Sequence, residues 1–304
     1  MTSRARTRSL PDISKLANLT VGSWHALGER LLQLGLTTET AASIAQVAGH
    51  LPTSMRGAIR EWHLNCLNDR LGDAMRLLMF GGSVEYHRAD LAVGQKLLKM
   101  LLGSGLLEQR NGEVRSPFYL NIVNDMLLIC DDLSLGRGAV MGAGLTTMML
   151  CEAAHPRRRL NSLLDLGCGA GTIALQFASH VDAATGSDVN PRAIQMANVN
   201  RMLNPMPNDC AVRFLVSDLF GELAEDKFDL IVAQPPFVPR FPEAAPATFL
   251  FGGHRGDELP LKLITQVPDH LGSAGRAVLL IEWPIVDDKP VEQLIRENPW
   301  SPRI

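Results

Sequence analysis

The sequence predicts an α/β protein: a parallel sheet covered by helices, preceded by a mainly helical region that ends in a hairpin. Three observations carry this. From about residue 160 onward, short apolar runs alternate with helical patterns, the arrangement that yields a parallel sheet buried on both faces. A glycine-rich turn, Gly167-Cys168-Gly169-Ala170-Gly171, stands between one such run and a helical pattern. Before that region, leucines recur at helical spacing until Asn111-Gly112 separates two short runs, the signature of a tight type I′ turn.

The 304 residues suit two domains at about 150 residues each. We place the boundary after residue 135, giving 1–135 as a substrate-recognition or dimerisation domain and 136–304 as the sheet domain. A composition of 46% hydrophobic and 20% charged residues is that of a globular chain with a sizeable core. The net charge of −3 argues against affinity gained by coating nucleic acid with positive charge. The cysteines (Cys66, Cys130, Cys151, Cys168, Cys210) are odd in number and form no Cys-x-x-Cys pair, so no metal site or disulfide framework is expected, and the cytoplasm is the simplest setting. The uncharged run Gly138–Cys151 is shorter than the roughly 20 residues of a membrane span. Arg4, Arg6 and Arg8 have no apolar segment behind them and read as a tail rather than a secretory signal.

In chain order, Leu27 to Leu36 mark an amphipathic helix stopped at Gly35, and helical patterns resume at 44–48, 55–67, 71–79 and 90–102. Residues 106–110 and 113–115 flank the Asn-Gly turn, and 118–123 with 126–130 read as two further strands. Helices followed by such a hairpin resemble a winged-helix module. Its wing balances Arg110 and Arg115 against Glu108 and Glu113, which is not a basic reader of nucleic acid. Met75, Leu78 and Met79 read either as a homodimer seam or as the module's own core. Strands are expected at 161–166, 183–187, 212–216, 228–233 and 277–283, with helices at 171–177, 192–202, 259–271 and 291–297, and a proline-rich loop at 238–246.

The glycine turn lets a ligand approach the backbone closely, and the helix start behind it offers free N–H groups. Its spacing lacks the third glycine of the dinucleotide fingerprint, which argues against an NAD-dependent dehydrogenase. Asp188 ends the second strand, where a carboxylate can accept from both hydroxyls of a ribose, or can cap the helix beginning at Pro191. Asp218 follows the third strand and can accept from an adenine amino group. Polar features at successive strand ends lie along the edge where open α/β sheets bind ligands. The fourth strand ends in Gln234-Pro235-Pro236-Phe237. Its prolines remove two N–H donors, the Gln234 amide both donates and accepts, and Phe237 offers a flat face.

Together these residues resemble the Rossmann-like class I S-adenosylmethionine-dependent methyltransferases, and within them the branch with an Asn/Asp-Pro-Pro-Phe/Tyr motif, which methylates protein glutamine or nucleobase nitrogen. The later Gly252-Gly253…Gly256-Asp257 segment keeps the family's order. The resemblance implies S-adenosylmethionine as cofactor. Gly167, Cys168, Gly169 and Gly171 would then pass under its methionine part, with Asp165 near the amino group. Asp188 and Val189 would hold the ribose, Asp218 and Leu219 would frame the adenine, and Gly142 and Thr146 would close the pocket. Gln234 and the Pro235 carbonyl would orient the acceptor, with Phe237 stacked on it. The chain departs from the pattern in opening the motif with Gln234, one methylene longer, and in ending shortly after the fifth strand, where the family continues with two more.

An apolar lid (Val238, Phe241, Phe249, Phe251) beside Arg240, His254 and Arg255 leads us to expect a small-molecule acceptor, an amino acid or secondary metabolite, with a protein glutamine or an RNA base as the alternative. A winged-helix regulator that senses the cofactor without turnover is the more distant reading.

Overall fold

The computed structural model describes residues 9–49, 53–67, 69–240 and 250–282. They group into two units, one drawn from 1–135 with 199–205, the other from 136–198 with 206–304. Arg4, Arg6, Arg8, Phe241, Phe249 and the helix expected at 291–297 fall outside the described residues.

In the first unit, α1 (Val21–Gln33) starts where the Thr20 hydroxyl accepts the Ser23 N–H at 3.2 Å, and it buries Trp24, Leu27 and Leu31 as one stripe. Helices α2 (Thr38–Gly49), α3 (Thr53–Cys66) and α4 (Asp69–Leu78) follow. Met75 and Leu78 are 0% and 2% exposed, so the dimer-seam reading is corrected: these side chains are core. The strand β1 (Ser83–Glu85) precedes α5 (Tyr86–Val93) and α6 (Gln95–Gly103). Residues 90–102 were expected as one helix, but Gly94 at φ 89° breaks it in two.

Strands β2 (Glu108–Arg110) and β3 (Glu113–Arg115) join β1 in an antiparallel sheet of order β1–β3–β2. Their turn takes φ 51° at Asn111 and 83° at Gly112, the pair of positive values a type I′ turn requires. Strands β4 (Tyr119–Val123) and β5 (Met126–Cys130) form a separate antiparallel pair.

The second unit runs α7 (Leu145–Ala154), β6 (Leu160–Leu166), α8 (Thr172–Gln176), β7 (Val181–Asp188), α9 (Pro191–Leu203, counted with the first unit from Val199), β8 (Ala211–Val216), β9 (Phe228–Ala233), β10 (Val238–Pro239), β11 (Phe251–Gly253), α10 (Glu258–Gln266) and β12 (Leu271–Leu279). Its main sheet is parallel throughout, in the order β12–β9–β6–β7–β8.

Alternate residues supply the two faces, as the two-residue repeat of a strand demands. Leu163, Leu230 and Val232 pack with Leu150, Ile173 and Phe177 on one side. Leu164, Leu166 and Ile231 pack with Phe220, Leu223 and Leu263 on the other. The chain steps outward from β6 through β7 to β8, then returns to place β9 against the other edge of β6. That reversal opens a crevice at the carboxyl ends of β6 and β9, where open α/β sheets bind ligands.

The last strand begins six residues earlier than expected. Leu271 pairs with Phe228, the register then shifts, and pairing resumes at Arg276 opposite Leu230. The intervening Gly272-Ser273-Ala274-Gly275 reads as a loop in sequence but is an irregular part of the strand. The helix expected to run to Leu271 correspondingly ends at Gln266.

Candidate active site

The glycine turn closes directly after β6. Both Gly167 N–H and Cys168 N–H donate to the Ser187 carbonyl, at 2.8 and 2.9 Å, tying the turn to the end of β7. Gly167, Gly169 and Gly171 all have positive φ. Their reasons differ. A Cβ on Gly167 would meet nothing within 4 Å and one on Gly169 only the Met141 carbonyl at 3.9 Å, so these two leave an open cradle. A Cβ on Gly171 would stand 2.9 Å from Ala197 Cβ and 3.0 Å from the Phe214 ring, so Gly171 serves helix packing and does not line the cavity.

The cavity beside this turn is about 390 Å³, within the size range of small-molecule sites. It is lined by Asp165, Gly167, Cys168 and Gly169 from the end of β6, Asp188 and Val189 from β7, Asp218 and Leu219 after β8, and Gln234, Pro235, Pro236 and Phe237 after β9. Ala139 to Ala143 form another wall, and Val238, Leu250, Leu259 and Leu263 an apolar one. Of the remaining expected residues, Gly142 and Val238 line it, whereas Thr146, Phe251, Arg240, His254 and Arg255 do not. Arg255 instead pairs with the buried Asp257 at 2.7 Å.

Three carboxylates face this space, and burial raises two of them, Asp165 and Asp188. Asp165 is 2% exposed and accepts from the Ala174 N–H at 3.0 Å. Burial, opposed by the backbone donors of α8 and reinforced by Asp188, raises its carboxyl to about 7. Asp188 accepts from Asn190 N–H and Gly169 N–H, each at 2.9 Å. Burial nevertheless holds it above the ordinary carboxylate range. Burial, with Asp165 and Asp188 nearby, also raises the Cys168 thiol well above its usual value, so it stays protonated and unreactive. Asp218 is exposed at the cavity edge.

Several lining or supporting residues were not singled out from sequence. Asn190, not Asp188, caps α9: its Oδ1 accepts from Arg192 N–H while its Nδ2 donates to the Gly138 carbonyl at 3.0 Å, pinning the start of the 139–143 wall. The signal was present in Asn190-Pro191, a cap followed by a proline opener. Buried Ser217 donates its hydroxyl to the Leu219 carbonyl at 2.9 Å and accepts Glu222 N–H, holding Leu219 at φ 51°, an uncommon conformation for a branched residue. Gly252 and Gly256 sit behind the Gln-Pro-Pro-Phe turn: a Cβ on Gly252 would strike the Pro236 carbonyl oxygen, and one on Gly256 that of Phe237. The second glycine segment is therefore a backbone buttress for that turn.

Residues 144–250 match the family described as Methyltransferase small domain. A release factor glutamine methyltransferase of Fusobacterium nucleatum subsp. nucleatum is 40% identical over 171 residues, covering 51% of this chain and 48% of that protein. A ribosomal protein uL3 glutamine methyltransferase of Xanthomonas campestris pv. campestris is 33% identical over 129 residues, covering 39% and 41%. A tRNA1(Val) (adenine(37)-N6)-methyltransferase of Porphyromonas gingivalis is 32% identical over 123 residues, covering 38% and 48%. The chain thus spans about half the length of the curated relatives it matches. Its second unit combines a parallel α/β sheet with a stretch, 144–250, that resembles the Methyltransferase small domain. The expectation of a small-molecule acceptor is corrected by these relatives, which are named for protein glutamine or tRNA adenine. That expectation leaned on the lid and on Arg240, His254 and Arg255, and those three cations do not line the cavity.

Proposed function

We propose that this chain is an S-adenosylmethionine-dependent methyltransferase that acts on the side-chain amide of a glutamine in a protein. The observation that carries the reading is that Gln234, Pro235 and Phe237 share one cavity with Gly167, Gly169, Asp165, Asp188 and Asp218. The acceptor turn and the cofactor cradle therefore face each other across a short, mostly apolar space.

The cradle fits the cofactor on the chain's own chemistry. The open space over Gly167 and Gly169 admits the methionine part, Asp165 suits its ammonium group, Asp188 and Val189 suit the ribose, and Asp218 and Leu219 suit the adenine edge and face. When bound, S-adenosylmethionine supplies an activated methyl group. The protein's work is then alignment and exclusion of water. The lone pair of an amide nitrogen is delocalised into its carbonyl. In this reading Gln234 Oε1 and the Pro235 carbonyl would accept the two amide hydrogens and Phe237 would stack on the amide plane, which together would direct the nitrogen. The apolar wall of Val238, Leu250, Leu259 and Leu263 keeps water from that end.

The arrangement of α4 to α6 with the β1–β3–β2 sheet suits recognition of the acceptor protein, and five cysteines with no disulfide among the described residues suit a reducing cytoplasm. The test is incubation with methyl-labelled S-adenosylmethionine and a purified bacterial release factor, followed by peptide mass analysis. Label on a glutamine supports the reading. Label in the RNA fraction of an extract, with none on protein, overturns it in favour of a nucleobase acceptor.

A further inference from the structure

Gln234 lines the cavity, but the partner that fixes it does not. Its Nε2 donates to Thr146 Oγ1 at 3.0 Å. Thr146 stands in the first turn of α7, and its neighbour Thr147 accepts the Gly144 N–H at 3.3 Å at the helix start. The terminal torsion of a glutamine side chain has a broad, two-fold preference, so an unpartnered amide samples orientations that exchange its oxygen and nitrogen. A fixed partner at the end of the amide restrains that torsion, and in this structure Thr146 Oγ1 meets Nε2.

We propose that Thr146 is a positioning residue that locks the Gln234 amide with its oxygen turned to the acceptor. The inference rests on the reading of Gln234 as the acceptor's ligand. It deepens that reading. With one Nε2 hydrogen given to Thr146, the Gln234 oxygen is left to accept, so the site suits a group that brings its own N–H, as a primary amide does. The pairing also accounts for the length of Gln234: an asparagine, one methylene shorter, would not span the distance to Thr146.

The test uses the full chain and the variants Thr146→Val, Thr146→Ser and Gln234→Asn, singly and with Thr146→Val combined with Gln234→Asn. In glutamine side-chain amide NMR spectra, the Gln234 pair is identified by its loss in Gln234→Asn. Thr146→Val is expected to move this pair and quicken its hydrogen exchange, and Thr146→Ser to leave it near the wild-type position. With release factor as acceptor, Thr146→Val should lower kcat by roughly 10- to 100-fold with KM for S-adenosylmethionine little changed, Thr146→Ser should recover most of it, and Thr146→Val should cost nothing further in the Gln234→Asn background. An unmoved Gln234 signal in Thr146→Val, or losses that multiply in the double variant, overturns the proposal. If wild-type protein leaves release factor unmethylated, the acceptor reading fails while the spectra still decide the pairing.

Discussion

If Asp165 meets the cofactor's ammonium group, affinity should fall with falling pH as for any carboxylate, but at about pH 7 rather than about pH 4. The Asp165 carboxyl is pushed up to about 7 from an ordinary 3.8, chiefly by burial. Below that value the empty site holds a proton that must leave before the carboxylate can meet an ammonium group. If only the ionised form binds, the dissociation constant scales with one plus the ratio of protonated to ionised Asp165. From pH 8 to pH 6 that factor weakens binding by about tenfold, or ~1.4 kcal/mol.

Calorimetry with S-adenosylhomocysteine measures this directly, and titrations in buffers of different ionisation enthalpy count the proton. About 0.9 proton should be released per ligand bound at pH 6. Asp165→Asn keeps an oxygen for the Ala174 N–H but removes the charge, and is expected to bind weakly with a flat profile. Any titration of the ligand's own amino group appears in both proteins and cancels in the comparison. A wild-type constant that is level between pH 6 and pH 8, or a slope retained in Asp165→Asn, would refute the reasoning. The same linkage acts on folding. A carboxyl raised in the native state favours the fold while protonated in both states, and that advantage is lost as pH climbs from about 4 to about 7. The difference is of order 4 kcal/mol. Asp165→Asn should therefore raise the melting temperature of the empty protein at pH 8 but not at pH 4.

The two kinds of glycine in the turn should separate by assay. Gly167→Ala fills the cradle and is expected to weaken cofactor binding at least tenfold, whereas Gly171→Ala drives a methyl into Ala197 and Phe214 and should cost about 1–3 kcal/mol of stability by urea unfolding. Asp188→Ala removes the acceptor of two backbone N–H groups and the proposed ribose ligand, and calorimetry should find little or no cofactor binding; unchanged affinity would exclude the ribose role. Leu230→Ala, at a fully buried position in the central sheet, should destabilise by about 2–5 kcal/mol with no change in the residual protein's cofactor affinity.

The sheet was legible because both its faces are buried: runs such as Phe228–Ala233 read as strand whichever side they face, and glycine and acid residues mark their ends. The boundary errors at glycine run in opposite directions. Gly94 reads in sequence as part of one helix but breaks it at positive φ, whereas Gly272–Gly275 reads as a loop but is carried within the strand by a register shift. The short strand β1 had no signal, since three residues cannot display a period. In the site, the residues proposed to act by their own chemistry (Asp165, Asp188, Asp218, Gln234) could be picked from type and place, and they line one cavity. Those that act by holding others could not. Nothing in Thr146, Ser217 or Asn190 as residue types says which carbonyl or amide each will meet, because each of those contacts is made between segments the sequence does not order in space.

Several residues lining the cavity share a further property. Asp165 and Asp188 are kept above their ordinary range by burial, Leu219 is held at positive φ by Ser217, and Gly167 and Gly169 are kept in a conformation that leaves empty space above them. Each costs the empty fold some stability, and a cationic nucleoside would offset the first two directly by supplying the counter-charge and the hydroxyl donors the carboxylates lack. A site assembled this way should be stabilised by cofactor beyond what mass action on a relaxed pocket gives near neutral pH, and less so at pH 5, where Asp165 is already neutral. The gap between the two melting-temperature shifts measures how much of the cofactor's binding energy relieves strain already present in the unliganded chain.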